Sequence, residues 1–217
     1  MPSSAPTLAS SAQMQGDMLR ALFTHAAVRT YPKNTMLIVE GESSSDSVYL
    51  IQSGRVKVFL CSADGKEVDL DVLEPGDYFG ELEFDAGPRS VSVVTLERSQ
   101  FAVMRQSEFR RLVAENPDFA VQLILKMVAR TRALLKNVKR LALLDVSDRV
   151  ARLLLDLATE EDGKLIITKK LSKRDIANRV GATREMASRV FKDLVSSGYL
   201  KLEPKRITIV RRLPQQW

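Results

Sequence analysis

The sequence predicts an α+β chain with an N-terminal antiparallel β barrel of jelly-roll type, one long helix, and a C-terminal winged helix-turn-helix. Three observations carry this. Between about residues 28 and 103, short apolar or alternating runs recur at near-regular spacing with Gly/Pro punctuation, the pattern of a small β barrel. From Pro117 to Leu143, apolar residues step by 4 and 3 over three heptads. Residues 171–198, LSKRDIANRVGATREMASRVFKDLVSSG, read as two short helices about a tight turn.

In chain order, residues 1–16 form a tail rich in Ser, Pro and Ala, expected to be disordered. Leu19–Ala27 reads as a short helix. Strands are expected at Thr35–Val39, Ser47–Ile51, Arg55–Leu60, Glu67–Leu73, Val91–Leu96 and Gln100–Met104. Turn residues separate them at Glu40-Gly41-Glu42, Ser53-Gly54, Ala63-Asp64-Gly65, Glu74-Pro75-Gly76-Asp77 and Ala86-Gly87-Pro88. A short helix over Gln106–Asn116 closes a first domain, 17–116.

The long helix, segment 117–144, carries the seam Ala120, Ile124, Met127, Thr131, Leu134, Val138 and Leu141, surrounded by Arg130, Arg132, Lys136, Lys139 and Arg140. It is too long for a barrel of this size to cover, so Ile124, Met127, Thr131, Leu134, Val138 and Leu141 are expected to pair two subunits. The last domain, 145–217, opens with a helix from Ser147 to about Thr159, a turn at Glu160–Gly163 and a strand at Lys164–Thr168. Ser172 and Asp175 form a capping-box variant. Ile176 and Val180 face inward, Gly181 stops the helix in the left-handed region, and Thr183 caps the next one. Met186, Ala187, Val190 and Leu194 continue the apolar face, so Arg184, Glu185, Ser188, Arg189 and Lys192 project outward. Leu200–Leu202 and Arg206–Val210 make a hairpin, the wing, with Lys205 at its tip.

Charge distribution narrows the partner. The net charge is +6, but Ser147–Trp217 holds 16 Lys+Arg against 9 Asp+Glu, leaving 17 against 18 for the rest. Only the C-terminal domain is basic, which points to a polyanion there. A cationic helix face beside carboxylate and guanidinium groups suits duplex DNA: the cations meet phosphate, and Arg and Glu can read base edges in the major groove. No run of ~18 apolar residues or signal peptide is present, so a cytoplasmic, membrane-free protein is expected. One cysteine, Cys61, and one histidine, His25, exclude an internal disulfide, a Cys/His zinc site and a four-cysteine cluster within one chain. No metal and no enzyme activity are expected, since nothing near His25 supports a nucleophilic constellation.

Four motifs resemble the cyclic-AMP receptor protein and fumarate–nitrate regulator (CRP/FNR) superfamily of bacterial transcription factors, over about Leu22–Val210. Gly41-Glu42 with Tyr49-Leu50-Ile51 and Gly54-Arg55-Val56-Lys57-Val58 is similar to the opening of a cyclic-nucleotide-binding barrel. Pro75-Gly76-Asp77-Tyr78-Phe79-Gly80-Glu81-Leu82 with Pro88-Arg89-Ser90 resembles the phosphate-binding cassette. Leu141-Ala142-Leu143-Leu144-Asp145-Val146 resembles the hinge, and Gly181-Ala182-Thr183-Arg184-Glu185 with Arg189 the recognition helix.

The resemblance implies a ligand site at Gly80, Glu81, Leu82, Arg89 and Ser90, completed by Thr131, Leu134 and Leu135 of the long helix. Arg89 can pair with a cyclic phosphate, Ser90 can donate to it, Gly80 allows close approach, and Glu81 can accept from a ribose hydroxyl. Cyclic AMP or another cyclic nucleotide is the implied effector, with no covalent cofactor. The chain departs from the family at Glu83, where a small residue is usual, and at Leu134 and Leu135, which replace a Thr-Ser pair that contacts adenine. Aliphatic side chains cannot donate to a purine, so another effector, or activity without one, is an alternative. A cyclic-nucleotide sensor acting on a partner protein is a second.

For DNA, the resemblance implies that Arg184, Glu185 and Arg189 read TGTGA-like half-sites of a palindrome, while Lys173 and Thr183 meet phosphate. Ser172, Ser188 and Lys205 join them in the expected DNA-binding set. RNA polymerase is the implied protein partner. The loop at Thr159–Lys164 is shorter than the family's polymerase-contacting loop, which leaves the sign of regulation open.

Overall fold

The computed structural model describes residues 23, 26–42, 46–81, 87–168, 171–204 and 206–213. The expected Leu19–Ala27 helix and His25 lie outside them, apart from Phe23, Ala26 and Ala27; Ala27 begins a strand. The chain divides into two compact units, one of residues 1–60 and 70–130, the other of 61–69 and 131–217.

The first unit is built on two four-stranded antiparallel sheets, of which only Cys61 and residues 67–69 fall in the second unit. One runs β1 (Ala27–Tyr31), β8 (Ser99–Arg105), β3 (Ser47–Ser53), β6 (Tyr78–Phe79). The other runs β2 (Met36–Ile38), β7 (Ser92–Thr95), β4 (Val56–Cys61), β5 (Glu67–Leu73). Each of the six expected barrel strands is found with its ends within two residues of those expected, but β1 and β6 were not expected. Residues 27–30 of β1 are all exposed, so no alternation marks them, although Ala27–Tyr31 pairs in register with Val103–Ser99. β6 is two residues long and lies inside the cassette motif.

Strand β3 shows why the middle of the barrel has no polar face. Its alternate side chains serve two cores, as the period of 2 requires. Val48 and Leu50 join Ala102, Met104, Phe109 and Phe119, while Tyr49 and Ile51 join Val56, Phe79, Val93 and Phe101. In the second core Tyr49 stacks on Phe79 (4.9 Å, 5°), and Phe101 meets both edge-on at 6.0 and 5.6 Å. Gly54, at φ +84°, makes the β3–β4 turn; a Cβ there would come within 2.7 Å of the Ser99 Cα, so only glycine fits.

Helix α1 (Gln106–Glu115) packs through Phe109, which is edge-on to Phe119 at the start of α2 (Pro117–Leu143). Phe119 is the single fully buried side chain described on α2. Ile124, Leu134, Val138 and Leu141 of the seam are 60%, 44%, 60% and 43% exposed, Thr131 is exposed, and Met127 is half-buried.

The second unit holds α3 (Val146–Leu157), α4 (Lys173–Val180) and α5 (Arg184–Ser196) over a sheet in the order β11 (Leu200–Glu203), β12 (Arg206–Ile209), β10 (Lys164–Ile167), β9 (Thr159–Glu161). Its core joins Val150, Leu154, Ile167, Ile176, Phe191 and Leu194. The expected first helix overran its end, because Thr159–Glu161 leaves the helix and pairs with Ile166–Lys164. The β11–β12 hairpin forms the wing; its Lys205 lies outside the described residues.

Candidate functional site

The cassette lies in the first unit. After β6, Gly80 takes φ +89°, and a Cβ there would stand 2.5 Å from the Ser47 carbonyl oxygen and 3.5 Å from Arg89 Nη1. Glycine is therefore required for the cassette backbone to pass this close to β3. Arg89 is 5% exposed and Glu81 4%, two of the few buried charged groups described. Arg89 Nη1 donates to the Gly80 carbonyl at 3.4 Å. Ser90 is exposed, and Leu82, with Glu83, lies outside the described residues.

Glu81 is held by a residue that the sequence reading gave no site role. Arg130 on α2 forms a buried ion pair with Glu81 through Nη1, and its Nη2 donates to the Tyr78 carbonyl at 2.7 Å. One turn earlier, Lys126 donates to Asp77 at 2.8 Å, and its ammonium sits 4.4 Å from the centre of the Tyr78 ring. Lys126 and Arg130 are i and i+4 on one face, a signal available in the sequence, but the heptad reading placed Arg130 only as a cation flanking the seam and did not single out Lys126. Burial pushes the Glu81 carboxyl above its ordinary range, and Arg130 opposes that rise.

Arg130→Gln therefore leaves a buried carboxylate without its main counter-charge. The expected cost at neutral pH is about 3 kcal/mol. A carboxyl whose pKa is higher in the folded than in the unfolded state favours the fold in its protonated form. The loss should thus be smallest near pH 5 and grow toward pH 8. Urea unfolding midpoints of the two proteins at both pH values check this; an equal loss at both would contradict it.

The helix-turn-helix is built from local signals. Ser172 Oγ accepts from Asp175 N–H, and Asp175 accepts from Ser172 N–H, the reciprocal box expected. Gly181 takes φ +61°, ψ +50° after α4, and Thr183 Oγ1 accepts from Met186 N–H to start α5. Arg184, Glu185, Arg189 and Lys192 are exposed on α5 and Ser188 is half-buried. Ala187 and Leu194 are fully buried, but Met186, expected on the inward face, is 44% exposed. The reason is angular: Ala187, Phe191 and Leu194 already fill the core-facing stripe, and Met186 stands one residue round from it.

Lys173, expected at phosphate, folds its ammonium 3.3 Å from the centre of the Phe191 ring, and burial there holds its pKa below the ordinary lysine range. Arg174 and Asn178 of α4 donate to one carboxylate, Glu67, at 3.3 and 2.9 Å.

The first unit thus holds a two-sheet barrel with a buried arginine against a positive-φ glycine, and the second a winged helix-turn-helix. The family description "Cyclic nucleotide-binding domain" matches residues 28–116, and "Crp-like helix-turn-helix domain" matches 148–213. The chain is 36% identical over 184 residues to the CRP-like cAMP-activated global transcriptional regulator of Mycobacterium tuberculosis, covering 82% of each. It is 33% identical over 199 residues to the cAMP-activated global transcriptional regulator CRP of Escherichia coli, covering 88% of this chain and 93% of that one. Among solved structures, the c-di-GMP responsive global regulator CLP of Xanthomonas campestris superposes with a TM-score of 0.76 at 27% identity, over 89% of this chain and 98% of that one. The chain belongs to the CRP/FNR family of transcription regulators. Among the described residues, no helix is long and apolar enough to cross a membrane.

Proposed function

We propose that this regulator works as a homodimer that binds a cyclic nucleotide in each barrel and docks two recognition helices on a DNA palindrome with TGTGA-like half-sites. The observation that carries the ligand reading is the buried Arg89 beside Gly80 and Glu81: a guanidinium under 10% exposed is suited to bidentate pairing with a cyclic phosphate. Ser90, Leu82, Thr131, Leu134 and Leu135 are the further residues that the family resemblance assigns to ligand binding. The apolar stripe Ile124, Leu134, Val138 and Leu141, exposed in one chain, supports the pairing of two subunits along α2.

On DNA, Arg184 and Arg189 bond guanine O6 and N7, and Glu185 accepts from cytosine N4. Thr183, Ser172, Ser188, Lys173 and Lys205 serve the backbone. The lysine at 173 would have to leave the Phe191 ring to reach a phosphate. The domain limits 17–116, 117–144 and 145–217, the cytoplasmic location and RNA polymerase as partner belong to the same reading.

The ligand acts by binding the DNA-competent state more tightly than the other, so coupling is reciprocal. Titrating the dimer with cyclic AMP, cyclic GMP and cyclic di-GMP, with operator affinity as the readout, tests this. One of them should raise or lower DNA affinity by about 5–150-fold. No change with any of the three would overturn cyclic-nucleotide control.

A second reading has its own support. Leu134 and Leu135 offer no donor to a purine, and Arg130 already satisfies Glu81. Both favour an effector other than cyclic AMP, or a dimer competent without ligand. Saturated operator binding by ligand-free protein would select the latter.

A further inference from the structure

We propose that Arg149 is a positioning residue that fixes the angle between the end of α2 and the recognition helix α5, and thereby the half-site spacing the dimer accepts. The proposal rests on the two-subunit reading above. Arg149 lies on α3, between the two elements it ties. Its Nη1 donates to the Leu144 carbonyl at 2.8 Å and, more weakly, to the Leu141 carbonyl at 3.4 Å. Its Nη2 reaches the Gly181 carbonyl at 3.5 Å. The carbonyls at the end of α2 have no helical partner, and a cation there is favoured by the helix dipole. Gly181 is the left-handed residue of the turn, three positions before α5 begins. One planar fork thus spans both helix ends, which a point charge could not do.

Two further contacts hold the same junction. A Cβ on Gly181 would stand 2.9 Å from Leu141 Cδ2, so the last residue of the α2 seam already lies against the turn. Arg140, in the last turn of α2, pairs with Asp156 of α3 at 2.9 Å. Arg149 Nε is buried and makes no hydrogen bond among the described residues. Holding a guanidinium there costs desolvation, which the carbonyl contacts offset only in this geometry.

The consequence is mechanical. A 13-residue helix such as α5 is about 20 Å long. A tilt of about 10° moves its far end by about 3.5 Å, close to the ~3.4 Å step between base pairs. Loss of the fork should therefore loosen the spacing requirement while leaving base reading by Arg184, Glu185 and Arg189 intact.

The test uses full-length protein and palindromes whose half-sites stand at the preferred separation or one and two base pairs either side. Wild type should favour one separation strongly. R149A should bind that operator about tenfold more weakly and lose most of the preference, with unchanged discrimination against a base substitution inside the half-site. R149K, which keeps the charge but cannot bridge both sets of carbonyls, should fall between. Should R149A fail to fold, R149K decides alone. A wild-type spacing preference in R149K or R149A overturns the proposal, as does equal weakening at every separation. A wild type indifferent to spacing overturns the two-subunit reading, and this proposal with it.

Discussion

Glutamate at Leu134 and Val138 should convert the protein to a monomer and reduce binding to a palindrome by at least a hundredfold. The two positions are one turn apart on α2 and are 44% and 60% exposed in the single chain, outside the buried core of their own subunit. In a dimer each would meet its equivalent across a twofold seam. Four carboxylates would then be placed in an apolar interface without counter-charges. An uncompensated buried charge costs about 3–5 kcal/mol, and the pairing of two such helices cannot absorb several of these. DNA affinity falls with it, because a single reader makes half the phosphate and base contacts. Sedimentation equilibrium and a gel shift check the two parts. A double variant that remained dimeric would remove α2 as the pairing surface, wherever the true interface lies. The far-ultraviolet circular dichroism and a cooperative unfolding transition should be retained, which separates this outcome from misfolding.

The second large effect is on base choice. Glu185→Ala should cost about 1–3 kcal/mol of discrimination at one base pair of each half-site. The side chain is exposed in the first turn of α5, where the N-terminus of a recognition helix meets base edges. Its removal leaves the helix cap in place, since that is supplied by Thr183. Affinity for the preferred operator should therefore fall, and affinity for the operator substituted at that pair should not. Binding to a panel of single-base operator variants measures this. Unchanged selectivity would remove Glu185 from base reading. Removal of a phosphate-contacting lysine differs in kind: it weakens binding to all sequences alike and flattens the salt dependence.

Which parts were legible in the sequence follows from how each signal arises. Caps and turns are local chemistry, so Ser172, Asp175, Gly181 and Thr183 could be assigned their positions before any coordinates. The barrel strands β3 and β8 were visible as apolar runs because both of their faces are buried. Strand β1 was invisible because its pairing with β8 is a backbone property, carried by residues with exposed side chains. The start of the β9–β10 hairpin was lost because Thr159 and Glu160 carry no apolar pattern. At the cassette, Gly80, Glu81 and Arg89 were readable from the motif, but the Arg130–Glu81 pair joins residues 49 positions apart and no spacing rule links them. Arg149 was silent for a different reason: what it binds are carbonyls, which every residue has.

The central claim is that two winged readers dock together on one duplex. Hydroxyl-radical footprinting on a palindrome with TGTGA-like half-sites tests it most directly. The expected result is two equal protected patches, symmetric about the centre and about 34 Å apart, appearing at the same protein concentration. Protection of one half-site alone, or of the two at separate concentrations, would contradict the account.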